Sequence, residues 1–251
     1  MGNRLKPTTN YYPKPLIPIK GKSIISYLIE NYLWNDFKEF VFVIGYKGKI
    51  MQKNLEQLQK KYRKKYPVKD FNFHYVINKH ISRGNGYSGL LGLRKTFEEN
   101  LGTRIILSMG DHLYSYRLIN SLCKEGINDA DIVIATDSKL DNGYVDVEEA
   151  TKIFGSKSGL VVNIGKEISE FNMIDMGVFN LKNKSLQLIQ ELENEQEVFG
   201  WTEVVKKAMN KGLTVRYCDM SEQEWIDIDN YYDYRIALNM LNELILNGPS
   251  D

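Results

Sequence analysis

Two cations stand among prolines and glycine at the start of the chain: Arg4 in GNRL and Lys14 in YYPKPL. Arg4 offers a planar fork of donors, and Lys14 a point charge whose backbone is stiffened by Pro13 and Pro15. Two cations beside glycine-containing backbone suit a polyphosphate, although alone the same residues also read as a frayed basic terminus. Candidate carboxylates lie further on. Asp111 ends the apolar run RIILSMGD, and the carboxyl end of a strand is where open α/β sheets bind ligands; alone it also reads as a helix cap. Asp227 and Asp229 alternate in WIDID, so in extended chain they point the same way. Asp229 also precedes the terminal helix, where it could simply cap it. With Asp111, a second carboxylate completes an oxygen-rich magnesium site, because magnesium takes one or two carboxylates and leaves the rest to phosphates and water.

A second set of candidates is built on small and polar residues. In RGNGYSG, Gly84 and Gly86 allow close backbone approach to a flat ligand, and Asn85 and Ser88 bring hydrogen-bonding groups; the same composition also makes an ordinary turn and cap. In NIGKEI and MIDMGVF, Lys166 suits a second phosphate and Asp175 a sugar-like hydroxyl, against a surface lysine and a strand-end aspartate. Three other signals fail. GKS at Gly21 to Ser23 lacks the earlier glycine of a P-loop. No GxGxxG follows a strand. KKYRKK reads as the solvated face of a helix, since the whole chain is not basic.

The elements that must position these residues follow from periodicity. SIISYLIENYLWN predicts a helix with Ser23 as N-cap. EFVFVIG predicts a buried strand, KIMQKNLEQLQKKYRKKY a helix, FNFHYVI a strand and GYSGLLGLRKTFEEN a helix. RIILSMGDH reads as a strand, SYRLINSLCKEG as a helix and ADIVIAT as a strand. This rhythm argues an α/β fold: a doubly wound, mostly parallel sheet with helices on both faces. From Val145 to Leu181 short strand-like pieces follow one another, which predicts a small antiparallel insert near the sheet edge. Helices from Ser185 and Gly200, a strand at TVRYCDM, and a loop at WIDID running into a long terminal helix complete the chain. No glycine, serine or proline linker divides it, so one domain over residues 1–246 is expected, with 247–251 as a frayed tail.

Composition sets the outer limits. The chain has 251 residues, 33 basic and 32 acidic, enough for one large α/β domain and without the net charge that nucleic acid would favour. Its two cysteines are far apart, without metal spacing, which points to a reducing cytoplasm. No run of about 18 apolar residues predicts a membrane span, and the first twenty residues do not pattern as a signal peptide.

In order, GNRL, PKPLIPIKGKSIISY, VFVIGYK, GNGYS, SMGDH and WIDID closely resemble the sugar-phosphate nucleotidyltransferase family over nearly the whole chain. The GNGYS, DHLYS, EEATKIF, NIGKEI and DMGVF segments resemble its inositol-1-phosphate cytidylyltransferase group most. That resemblance implies a Rossmann-like fold of the nucleotide-diphospho-sugar transferase type, here without the family's first strand. It implies a magnesium-dependent enzyme that transfers CMP from CTP to inositol 1-phosphate, giving CDP-inositol and pyrophosphate. Position by position, Gly2, Asn3, Arg4 and Lys14 fall in the phosphate loop, with Arg4, Lys14 and Asp111 as the catalytic set. Asp111 and Asp229 hold magnesium. Gly84, Asn85 and Ser88 line the base pocket. Lys166, Asp175, Lys152 and Glu203 face the acceptor. Two other readings stay open: another phosphorylated acceptor, such as a hexose 1-phosphate or phosphocholine, or a catalytically silent nucleotide-binding protein. Homodimer formation is likewise open.

Overall fold

In a computed structural model, residues 3–6, 8–124, 129–141, 143, 145–182 and 184–246 are described. Gly2 and the tail 247–251 lie outside the described residues. Three short 3-10 turns, the last at Lys14–Leu16, lead into β1 (Pro18–Ile19), β2 (Lys22–Ser23) and α1 (Ile24–Trp34). Next come β3 (Glu39–Ile44), α2 (Gly48–Lys65), β4 (Asn72–Ile77) and α3 (Gly84–Glu98). The middle of the chain forms β5 (Ile105–Ser108), β6 (His112–Tyr114), α4 (Tyr116–Lys124), β7 (Ile132–Asp137), β8 (Lys152–Gly155) and β9 (Val161–Gly165). It ends with β10 (Met173–Leu181), α5 (Lys184–Glu195), α6 (Trp201–Asn210), β11 (Val215–Asp219), β12 (Trp225–Asp227) and α7 (Tyr231–Leu246).

The chain divides into two compact units that interleave in sequence. Residues 1–79, 110–120 and 223–251 form one, and residues 80–109 and 121–222 the other. The chain crosses between the units four times, at 79–80, 109–110, 120–121 and 222–223, and the third crossing lies inside α4.

In the first unit, β3 and β4 pair in parallel, joined by α2 as a βαβ crossover. Their phenylalanines form a cluster, with the rings of Phe42 and Phe73 4.9 Å apart. β1 and β2 form a short antiparallel pair, and β6 pairs antiparallel with β12. Leu5, Ile17, Ile19, Ile24, Tyr27, Leu113, Ile226, Ile228, Ala237 and Leu241 pack as one apolar core. Ser23 stands in the N-cap position of α1 without a side-chain cap bond; its hydroxyl meets that of Ser26 instead, at 2.6 Å.

The second unit holds a six-stranded mixed sheet in the order β11-β7-β10-β8-β9, with β5 also on β10. β11 runs parallel to β7, and the other pairings are antiparallel. The expected α/β class holds. The antiparallel pieces, however, are not marginal: β10 is a hub that pairs with β5, β7 and β8. It reaches all three because it is nine residues long with an irregularity between Asp175 and Phe179, so different stretches meet different partners. Among the described residues no helix is long and apolar enough to cross a membrane.

Candidate active site

Buried apolar neighbours position the two opening cations. Leu5 is 1% exposed in the first unit's core and anchors the turn that carries Arg4. Leu16 and Ile17 are buried just after Lys14, in a turn closed by Leu16 N–H donating to Pro13 O and Ile17 N–H donating to Lys14 O. The carboxylates come from the β6–β12 pair, where Asp227 stands opposite His112 and Ile226 opposite Leu113. Asp111 precedes β6, and its carbonyl accepts from Ile228 N–H.

These elements bring Lys14 into the midst of three carboxylates. Its Nζ donates to Asp111 Oδ2 at 2.8 Å, to Asp229 Oδ1 at 2.5 Å and to Asp227 Oδ1 at 3.3 Å, and its side chain is only 9% exposed. Arg4 donates to the other oxygen of Asp229 at 2.9 Å. His112 closes the group, with Nδ1 at 3.0 Å from Asp111 Oδ1 and 3.4 Å from Asp227 Oδ1. One ligand atom each from Asp111, His112 and Asp227 lies within 4.8 Å of the others. Three carboxylates thus face two permanent cations, a net charge of −1 with His112 neutral.

The shared charges move the pKa values of Lys14, Asp111, Asp227 and His112. Burial pulls Lys14 down, but Asp111, Asp227 and the hydrogen bond to Asp229 outweigh it and hold the ammonium above the ordinary lysine value. Burial pushes Asp111 up, but His112 and Lys14 outweigh it and hold the carboxyl well below the usual range. Asp227 moves the other way: burial, with Asp111 and Asp229 nearby, raises it against His112 and Lys14. Burial opposes charge on His112, yet Asp227 and Asp111 raise its pKa.

Asp229 is not the cap of α7. Asn230 Oδ1 accepts from Tyr232 and Asp233 N–H, and Asp233 Oδ2 accepts from Asp229 and Asn230 N–H, which leaves the Asp229 carboxylate to the cations. Asn3 opens the first turn beside Arg4. Asp227 and His112 belong to the cluster as fully as Asp111 does. The alternation in WIDID signalled Asp227; for His112 the only signal was its place directly after Asp111.

In the second unit the remaining candidates are engaged in structure. Gly84 has φ +90°, and a Cβ there would lie 2.3 Å from the carbonyl oxygen of Phe199. At Gly89 a Cβ would meet the Trp201 ring at 2.4 Å. Asn85 Oδ1 accepts from Trp201 N–H at 3.0 Å, and Glu203 Oε2 accepts from Gly200 N–H at 2.7 Å. Both side chains therefore cap α6. Ser88 lies one turn along α3 from Gly84. Lys152 is buried in β8, donates to Lys166 O at 3.0 Å and lies 5.5 Å above the Phe171 ring. The Lys166 side chain is exposed. Asp175 accepts from Gly177 N–H at 2.7 Å at the irregular point of β10.

Comparison with known proteins shows the family and the fold. A family profile described as Nucleotidyl transferase matches residues 1–243. A bifunctional IPC transferase and DIPP synthase of Archaeoglobus fulgidus is 29% identical over 239 residues, covering 95% of this chain and 42% of that protein. A putative UTP–glucose-1-phosphate uridylyltransferase of Methanocaldococcus jannaschii is 30% identical over 210 residues, 76% of this chain and 72% of its own. The chain spans about half the length of the bifunctional relatives it matches. Among solved structures, an inositol-1-phosphate CTP transferase from T. maritima superposes with a TM-score of 0.79 at 24% identity, covering 98% of this chain and 91% of the other.

Proposed function

The chain belongs to the nucleotidyl transferase family and is an enzyme of that class, and from that premise we propose that it transfers CMP from CTP to inositol 1-phosphate, releasing pyrophosphate. The observation that carries the reading is Lys14, a buried ammonium held by Asp111, Asp227 and Asp229 beside Arg4. Such a group is built to exchange partners with a triphosphate and its counter-cation. The similar fold of the T. maritima inositol-1-phosphate CTP transferase suggests the cytidylyl and inositol parts of the proposal.

The carboxylate oxygens of Asp111, Asp227 and Asp229 are hard donors that suit magnesium. Asp111 and Asp227, close enough to share an ion, would hold it with Asp229. When bound, the ion neutralises charge on the nucleotide phosphates. The chain's own residues do the rest. Arg4 and Lys14 bind the β- and γ-phosphates and stabilise the charge that builds on the departing pyrophosphate. Gly84, Asn85 and Ser88 receive the base. Lys152, Lys166, Asp175 and Glu203 receive the acceptor. An acceptor phosphate oxygen forms the new bond to the α-phosphorus as the bond to the bridging oxygen breaks. No side chain need take a proton, because the phosphate is already ionised near neutral pH, so positioning supplies the catalysis.

The test is pyrophosphate release from CTP, magnesium and inositol 1-phosphate. No release under those conditions sinks this reading. A second reading, uridylyl transfer to a hexose 1-phosphate, is favoured by the 30% identical uridylyltransferase relative; UTP with glucose 1-phosphate in the same assay separates the two.

A further inference from the structure

We propose that His112 is a positioning residue for this reaction: its Nδ1, hydrogen-bonded to Asp111 and within ion-pair reach of Asp227, holds the two carboxylates at the spacing a divalent cation needs. The inference rests on the proposed function above.

The geometry is specific. Nδ1 lies 3.0 Å from Asp111 Oδ1 and 3.4 Å from Asp227 Oδ1. Two carboxylates so close repel each other, and a donor beside both offsets the repulsion. Lys14 meets the same pair through Asp111 Oδ2 and Asp227 Oδ1. The two oxygens of Asp111 are thus divided, one to His112 and one to Lys14.

The two donors are mounted differently. Lys14 sits on a short 3-10 turn at the end of a long flexible stem. His112 belongs to a strand, is 9% exposed, and is wedged between aromatic rings. It stacks on Trp225 at 6.1 Å with planes 23° apart, and lies tilted on Tyr114 at 5.8 Å. Trp225 and Tyr114 are register partners, as are Asp227 and His112, so all four residues share one face of the β6–β12 pair. The ring cannot swing away without losing this packing. When Lys14 gives its hydrogen bonds to phosphate, His112 still holds Asp111 and Asp227 together. Outer groups that orient metal ligands in this way typically contribute 10- to 100-fold in metal affinity.

The experiment reads the metal alone, without nucleotide. Binding of Mn2+ is followed by electron paramagnetic resonance for the wild-type protein, His112→Asn and His112→Phe. Asparagine keeps a nitrogen donor near the Nδ1 position; phenylalanine keeps the ring without the donor. The expected result is affinity weakened by about 10-fold or more in His112→Phe and restored to within about threefold of wild type in His112→Asn. Wild-type affinity in His112→Phe overturns the proposal, and so does equal weakening in both variants. A second measurement does not depend on the variants folding. The protein has three histidines, and nitrogen-15 NMR of labelled histidine should show His112 protonated at Nδ1 before and after magnesium is added. Loss of that proton on adding magnesium makes Nδ1 a ligand and overturns the positioning role. If CTP and inositol 1-phosphate give no pyrophosphate, the proposed reaction fails while both readouts on His112 stand.

Discussion

Charge holds the Arg4 and Lys14 side chains of the opening turns, whereas close packing and helix capping hold the glycine-rich start of α3. Lys14 lies under three carboxylates with its side chain 9% exposed. In α3, by contrast, Gly84 and Gly89 let Phe199 and Trp201 come closer than any Cβ would permit, and Asn85 caps α6. The first arrangement carries like charges at close range and is ready to trade partners with a charged ligand. The second is filled and capped, and has little to trade. Charge changes in the opening cluster should therefore act on chemistry, and volume changes at the start of α3 on stability.

The largest expected effect is on turnover. Asp111→Asn removes the carboxylate that both His112 and Lys14 hold. Pyrophosphate release should fall by about 100- to 1,000-fold, with the fold kept, as read by circular dichroism. Near-normal turnover would break the contrast, because it would make the charged cluster merely structural. Gly89→Ala should do the reverse. Its Cβ would enter the Trp201 ring, and overpacking of that kind costs about 1–3 kcal/mol. The denaturant midpoint is the measurement; an unchanged midpoint would mean that the helices part easily and that the shape argument is wrong.

The charged cluster was more legible in the sequence than the interlock. Arg4, Lys14 and Asp111 are chemically marked residues, and the fold brings them into one cluster through Asp229 and Lys14. Asp229 was less clear, because a carboxylate before a helix is also a cap. Only the fold shows Asn230 and Asp233 taking that work. WIDID read as a loop, since three residues are too short to show a strand's period. Its pairing with His112–Tyr114 is a long-range fact that no local pattern contains. For the same reason the end of RIILSMGDH was misread: the strand stops at Ser108 and a different one begins at His112. The long strands and helices, by contrast, were visible because their burial repeats over many residues. The role of β10 as a hub was hidden, because strand identity is local and strand partnership is not.

Asn85 sharpens the comparison at smaller scale. Its side chain was read as part of a base pocket, and it also accepts from Trp201 N–H. Loss of a cap costs about 1 kcal/mol, so Asn85→Ala should lower the unfolding free energy by about that amount, read as a fall in the denaturant midpoint. If the side chain also meets the base, KM for CTP rises more than the stability loss explains. A stability loss without change in KM assigns Asn85 to the interlock alone.

The smallest effect is the dependence of stability on pH, and its sign follows from the cluster. His112 has a raised pKa in the folded protein: burial opposes its charge, but Asp227 and Asp111 outweigh burial. Its contribution is complete below the unfolded value of about 6.5 and is lost as pH rises through the folded value. Asp227, also raised, loses its contribution as pH rises from the carboxylate range, and Asp111, lowered, gains its own there. Cys123, raised by burial against Arg104, begins to act only above the unfolded thiol value of about 8.5. From about pH 6.5 upward His112 adds a falling slope of its own. Above that pH the denaturant midpoint should fall more steeply in the wild-type protein than in His112→Asn, which keeps a donor toward Asp111 and Asp227 but cannot titrate. An equally steep fall in the variant would show that the pH dependence arises outside His112.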